Sequence, residues 1–524
     1  MDQCNIHLLD LPNEILFCIL KKLGNVDVLY FLFGIKNQRI NALIEDYVFT
    51  NILNFVKTSI TDDKLDRFCT YILLQKHSYI RKLILDATYM KRILHAGNYP
   101  NLTYLEIFNF TQEIGFPNFT TFRHILQHQI TDLILHNNDE YCLGKSMKIY
   151  NRNIYAHIMD LFENLKHLSI VASSVNEYPF LHLWDWPSAA YFASTLTILC
   201  INVFCFKDCL SLLDGRLKQL TTFKVQFHGM FKHMLTSPNI GDLHNLKCFS
   251  LTSYDVIWDR HDIVVALLRS MNHLEKLTLY LLIGKDKTFH CDTSPYVDGT
   301  YLQNEVLVHM TQLQAFNFYI STENPFNHTV FHISSDDIQQ TFTNIKYGET
   351  ACILDYIDGT RNICHVYSLP FTFTHLKNIT THFPFIVFDT VTHVSAFDSV
   401  PFEHEFFMRI SQAFPLLKCF SVQNWQWQHG SCDENPLYLV IEFTHLISLD
   451  ITRAHKSYIE QFLLETKTRL PCLTHLKVDY RDLKDVTKNF TRDATRHNCS
   501  KVNRLIVGES TTFSKDFSQY FPSL

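Results

Sequence analysis

Apolar residues recur along this chain in one six-residue phrase, apolar-x-x-apolar-x-apolar. It reads IRKLIL at Ile80, LTYLEI at Leu102, ITDLIL at Ile130 and LKHLSI at Leu165. It continues with LTILCI at Leu196, LTTFKV at Leu220, LKCFSL at Leu246, LEKLTL at Leu274 and LQAFNF at Leu313. After a gap it returns as LKCFSV at Leu417, LISLDI at Leu446, LTHLKV at Leu473 and VNRLIV at Val502. Within each of these two runs, successive phrases start 22 to 39 residues apart. The alternation that closes each phrase predicts a short strand with one buried face. Helix-spaced apolar residues precede several phrases, at Ile154–Leu161, Ile263–Met271, Glu403–Ala413 and Tyr458–Thr466. Asp262 is a candidate N-cap for the second of these helices. Each unit is therefore helix, turn, strand. One unit alone cannot bury its apolar face, whereas stacked units can. Between Ser321 and Thr390 the register is lost, with IKYGET, NICHVYSL and VTHVSA as candidate strands.

The first 45 residues follow a different pattern. Pro12 suits a first helical turn and Glu14 complements the helix dipole there. Ile15, Ile19 and Leu23 form one stripe, which Leu16 and Leu20 widen. Gly24 is expected to stop this helix in the C′ role. Asp27 is expected to cap a second helix with Val28, Phe31, Leu32 and Ile35 inward, and Ile40, Leu43 and Ile44 supply a third apolar set. A unit this small stabilises itself weakly and must lean on the repeats, on a partner, or on both.

Composition sharpens the class. Of the 524 residues 47% are apolar and 19% charged, which suits a chain with a large core. The net charge of −6 provides no basic excess for phosphates, so no nucleic-acid ligand is expected. No apolar stretch is long enough to span a bilayer, so no membrane partner is expected. The N-terminus has no secretory pattern. The 15 cysteines form no framework and read as reduced core thiols in a cytoplasmic or nuclear protein. Asn-x-Ser/Thr triplets such as Asn101-Leu-Thr are chance matches in that setting.

Candidate chemistry is sparse. Among 28 histidines the nearest zinc-helix pattern is His404-Glu405, which lacks the second histidine. Cys205 and Cys209 have no second ligand pair and read as packed thiols. Gly144-Lys145-Ser146 ends like a phosphate loop, yet Asp139 stands where that loop needs glycine. No GxGxxG or GxSxG occurs. We expect no catalytic residue, no metal and no cofactor. Trp425 and Trp427 are either exposed binding anchors or packed beneath the next repeat.

The phrase resembles the LxxLxL core of leucine-rich repeats, over residues 80–508 in degenerate form. The family's asparagine, three residues past the last core Leu, is matched well once, by Asn138 after Leu135. The resemblance implies a solenoid with parallel strands on a concave wall and helices outside; the alternative is a generic α/β protein with parallel strands. The open face would carry Glu106, Phe108, Asp132, His136, His167, Ser169, Lys224, Gln226, Lys276, Tyr280, Asn317 and Tyr319, then Ser421, Gln423, Asp450, Thr452, Lys477 and Asp479. Their mixed polar and aromatic character suits protein recognition better than a charged polymer.

LDLPNEILFCILKKLGNVDVLYFL resembles an F-box, through Leu11, Pro12, Glu14, Ile15, Ile19, Leu23, Asp27 and Val28. Val28 stands for the family's Leu, and Ile40 for its late aromatic. The resemblance implies an F-box-like helical domain at 1–50 and a repeat domain at 51–524. It implies docking to a Skp-family adaptor of a cullin–RING ubiquitin ligase through Leu11, Pro12, Ile15, Ile19, Leu23 and Val28, directly or as the packing beneath. It further implies that the repeats hold a substrate protein of unknown identity, with Glu106, Phe108, His136, His167, Lys276, Tyr280, Tyr319, Asp450 and Lys477 as candidate contacts. Two alternatives stand beside it: an interaction scaffold whose first helices only cap the repeats, and a hydrolase using one of the histidines.

Overall fold

The computed structural model describes residues 10–56, 60–137, 155, 157–172, 195–229, 241, 243–258, 261–285, 295–325, 333–357, 361–428, 439–507 and 515–524. The chain divides into two compact units. One comprises Met1–Leu251 with His273–Glu275, and the other Thr252–Asn272 with Lys276–Leu524. The boundary expected at residue 50 lies inside the first unit. The class is mixed α/β, with a large, mostly parallel sheet, helices, and no closed barrel among the described residues.

The first unit opens with α1 (Asn13–Leu20), α2 (Asn25–Leu32), α3 (Gln38–Ile44) and the single turn α4 (Tyr47–Thr50). Seven parallel strands follow side by side in chain order: β1 (Ile52–Asn54), β2 (Lys82–Asp86), β3 (Tyr104–Phe110), β4 (Asp132–Asn137), β5 (His167–Ala172), β6 (Ile198–Cys205) and β7 (Thr222–Gly229). From β2 onward each strand begins at the third residue of its phrase. The apolar positions face inward: Leu102, Leu105 and Ile107 are fully buried, as are Ile130, Leu133 and Leu135.

One hydrogen-bond device joins neighbouring repeats. Two successive amides donate to a single carbonyl of the preceding unit. Thr103 and Tyr104 share Arg81 O, Thr131 and Asp132 share Thr103 O, and Thr197 and Ile198 share Lys166 O. Thr131 and Thr197 hydroxyls donate to those same carbonyls at 3.3 and 3.0 Å. Asparagines just before three phrases bridge backward: Asn101, Asn164 and Asn245 Nδ2 donate to the carbonyls of Ser78, His128 and Lys218 at 2.7, 2.7 and 2.8 Å. These bonds pair the backbone groups of the named turns with the preceding unit.

The strand β8 (Cys248–Trp258) begins in the first unit and ends in the second. In the second unit, β9 (Lys276–Gly284) pairs parallel with β10 (Ala315–Pro325). Beyond it lie β11 (Thr350–Ile357) and β12 (Arg361–Ser368), in the order β9–β10–β12–β11, with both new pairings antiparallel. This hairpin explains the register lost between 321 and 390. The candidate strand NICHVYSL is β12, and all its residues from Asn362 to Ser368 are buried, so it shows no alternation. IKYGET holds a short 3-10 turn and only the first residue of β11. VTHVSA contains the start of β14 (His393–Phe397), and β13 (His375–Ile379) was not anticipated. These two begin a second parallel sheet, continued by β15 (Cys419–Asn424), β17 (Ser448–Ala454), β19 (His475–Lys477) and β20 (Arg504–Ile506). The two-residue strands β16 (Ile441–Glu442) and β18 (Thr468–Arg469) pair by themselves. The same shared carbonyls recur here: Lys418 and Cys419 bond Thr392 O, and Thr474 and His475 bond Ile447 O.

The helices ahead of β9 and β15 and after β17 run His261–Arg269, His404–Ala413 and Lys456–Leu463. Residues 157–161 are helical ahead of β5. The first of these helices has Asp262 inside its first turn, not before it.

Three local expectations are corrected. Gly24 does not end α1 in a left-handed turn; at φ −68° it is extended and precedes α2. Gly34, at φ +85°, takes the left-handed position after α2 instead. Asp27 does not cap α2. It lies in the helix's first turn, where its carboxylate meets Lys64 Nζ at 2.5 Å. The inward face of α2 is Val26, Val28 and Leu29, while Phe31 and Ile35 are exposed.

Candidate functional site

Two surfaces carry the residues expected to bind. The first is α1. Its sequence NEILFCIL places Leu16 and Leu20 one turn apart on the buried side. Ile15 and Ile19, one position earlier each, fall outward and are 48% and 38% exposed, and Leu23 beyond the helix is 52% exposed. Pro12 is exposed as the residue before the helix, Leu11 is half-buried and Val28 is buried. Phe31 on α2 adds a 66% exposed ring that periodicity had assigned inward. Of the 27 large apolar side chains exposed among the described residues, twelve lie between Ile15 and Tyr79. Sparse apolar exposure is ordinary, and these twelve are concentrated in one stretch of the chain.

The backbone beneath this face is held firmly. The Arg39 guanidinium bonds Asn13 Oδ1 at 2.5 Å and also Leu11 O, which fixes the entry of α1 against α3. Asn37 caps α3 by accepting from the Arg39 and Ile40 amides. Asn25 Nδ2 donates to the carbonyls of Val48 and Ile52 at 2.9 Å each, tying α2 to β1. Phe17 meets Phe49 edge-on at 5.4 Å, and Tyr30 lies parallel to Phe68 at 6.5 Å. Ile40 is buried among these helices.

The second surface is the polar face of β2 to β5. Lys82, Tyr104, Asp132 and His167 form one cross-strand row. Lys82 Nζ sits 3.6 Å from the Tyr104 ring centre. Tyr104 Oη donates to Glu106 Oε2 at 2.9 Å, and Glu106 Oε1 meets His136 Nε2 at 3.0 Å. The His136 ring stacks on Phe108 at 3.8 Å and 11°. His167 Nδ1 lies 3.3 Å from Asp132 Oδ1. Burial, then the bond to Glu106, push the Tyr104 hydroxyl above its ordinary pKa, so it stays a donor. Glu106, Phe108, His136 and His167 are thus brought together. The charges here largely satisfy one another, which leaves a face suited to hydrogen bonding and ring contact.

The other expected contacts fall elsewhere. Tyr280 and Tyr319 are not on an open face. They are fully buried, stacked at 4.7 Å beneath Phe371 and Phe373, and Tyr319 Oη bonds His365 Nδ1 at 2.8 Å. The segment after β12 covers them, which a regular repeat would not do. Lys276 is exposed at the start of β9. Asp450 and Lys477 face each other on β17 and β19, 3.9 Å apart. Trp425 and Trp427 are exposed, at 70% and 60%.

The chemistry-bearing patterns resolve as follows. Cys205 and Cys209 are buried, and Cys205 Sγ contacts Asp208 Oδ2 at 3.2 Å. His404 Nε2 lies 3.0 Å from the Leu439 carbonyl. Asn138, Asp139 and Gly144-Lys145-Ser146 lie outside the described residues. No group of three or more metal-binding side chains occurs among the described residues. No helix there is long and apolar enough to cross a membrane. No protein-family model matches the chain, and no curated protein matches it in sequence.

Proposed function

We propose that this chain is the substrate-recognition subunit of an SCF-type cullin–RING ubiquitin ligase. In this reading residues 1–50 are an F-box that docks a Skp-family adaptor, and residues 51–524 are a degenerate leucine-rich-repeat solenoid that holds a target protein. The observation that carries it is the two-sided α1, with Leu16 and Leu20 inward while Pro12, Ile15, Ile19 and Leu23 face outward. A helix serving only as a cap has no need of that outer apolar stripe. Val28 is buried and belongs to the packing beneath. The polar face around Glu106, Phe108, His136 and His167 is the favoured part of the target-binding surface. The chain would act without catalysing: holding a target near a charged ubiquitin carrier raises its effective concentration.

The packing of Tyr30 on Phe68 and the ion pair of Asp27 with Lys64 favour a second role for the same helices, as a cap on the first strands. The two roles use different faces. The test is binding of purified full-length chain to a recombinant Skp-family adaptor, with Ile15→Asp/Ile19→Asp as the outer-face variant. Wild type should bind, and the variant should lose binding at least tenfold with unchanged circular dichroism. A folded wild-type chain that does not bind the adaptor leaves the scaffold reading in its place.

A further inference from the structure

The hairpin of β11 and β12 holds two sulfurs in contact. Cys352 Sγ lies 3.8 Å from Cys364 Sγ, and both are free thiols. The register pairs Cys352 with Val366 and Leu354 with Cys364, so the two side chains leave the same face at diagonal positions of adjacent antiparallel strands. Cys364 is buried and Cys352 is half-buried, so a small reagent meets Cys352 first.

We propose that Cys352 and Cys364 form a peroxide-responsive dithiol site, in which hydrogen peroxide converts the pair to a disulfide that staples the hairpin. The Cys352 thiolate attacks one peroxide oxygen. The O–O bond breaks, Cys352 becomes a sulfenic acid, and the other oxygen leaves as water after taking a proton. The Cys364 sulfur then attacks the Cys352 sulfur. An S–S bond forms, the S–O bond breaks, and the departing hydroxide takes the Cys364 proton to become a second water. Two thiols and one peroxide give one disulfide and two waters, with two electrons passing from sulfur to oxygen. Hydrogen bonding to Cys352 and burial hold the Cys364 thiol well above its ordinary pKa, which suits a resolving partner and not a first attacker. The sulfurs must close from contact to bonding distance, and because diagonal neighbours stand about 7–8 Å apart, the closure draws on a backbone shift of the hairpin as well as on side-chain rotation.

The test treats reduced full-length protein with a small molar excess of hydrogen peroxide, blocks remaining thiols with N-ethylmaleimide, and maps the unreduced digest by mass spectrometry. The expected product is a peptide pair joining Cys352 to Cys364, lighter by two hydrogens than the sum of its parts and restored by dithiothreitol. Exposed Cys18 and Cys472 should be alkylated in the same sample. In Cys364→Ala, Cys352 should stop at the sulfenic acid and be trapped by dimedone. Alkylation of both Cys352 and Cys364 after oxidation, or their linkage to other cysteines, overturns the proposal. So does Cys352 in folded Cys364→Ala that shows no dimedone adduct.

Discussion

Neighbouring residues in α1 have opposite fates, and the difference is one of direction. Ile15 and Leu16 are adjacent and both branched aliphatics, yet one is exposed and the other buried. Removing Ile15 or Ile19 as alanine should change stability by no more than about 0.5 kcal/mol, because little packing is lost. Leu133, fully buried in β4, is a contrast. Leu133→Ala should cost about 2–5 kcal/mol in urea unfolding, from lost transfer energy and the cavity left behind. Gly34 makes the same point about direction. An L-residue at φ +85° is strained, and the Tyr71 hydroxyl sits 3.0 Å from where a Cβ would stand. Gly24 follows Lys21-Lys22-Leu23 and Gly34 follows Phe31-Leu32-Phe33, and a glycine after either stretch fits a helix stop.

At the scale of elements, the repeat phrase was legible because its three apolar positions all serve one core. Strands with one buried face write an alternation that can be read. β12 is buried almost throughout and writes none, so NICHVYSL was legible as a strand but its antiparallel place between β10 and β11 was not. The buried tyrosines were misplaced for the same cause: Tyr280 and Tyr319 continue the alternation of open-face residues, but Phe371 and Phe373 arrive from a distant part of the chain to cover them. The ladder of shared carbonyls should tolerate loss of single members. Thr197→Val removes one hydroxyl bond to Lys166 O and should cost about 1 kcal/mol, read as a shift in urea midpoint.

Histidines make the second unit acid-sensitive. Burial lowers His393 to about 4 and His365 to about 3, and burial, then the neighbouring His393, lower His375. His375 stacks on His393 at 4.1 Å and on Tyr254 at 3.9 Å. An unfolded histidine titrates near about 6.5. Between that pH and about 4, the unfolded chain takes up protons that these folded histidines refuse. Stability is therefore full above about 6.5 and falls as pH drops toward 4. Buried Asp355, whose carboxyl is raised by burial, works in the opposite sense. The urea midpoint should drop from pH 7.5 to pH 5, and His393→Gln should flatten that slope.

At the scale of the whole molecule, the N-terminal helices are integral to the first unit. Truncation to residues 51–524 would strip Tyr30 from Phe68, Phe33 from Tyr71 and Asp27 from Lys64. It should lower the first thermal transition and promote aggregation whatever the function, so loss of adaptor binding by truncation would be uninformative. Point changes on the outer face of α1 separate docking from capping, because the inner face stays intact.

The sequence by itself determined where most strands begin, that they stack as like units, and that the first helices carry an apolar stripe. Those features are local: a strand's alternation and a helix's period depend on neighbours two to four residues away. Only the tertiary structure decided which apolar residues stay outside, that a hairpin interrupts the parallel order, and that Cys352 meets Cys364. Exposure depends on whether distant segments cover a face, whereas the thiol contact depends on the register of two neighbouring strands, Cys352 and Cys364 lying 12 residues apart.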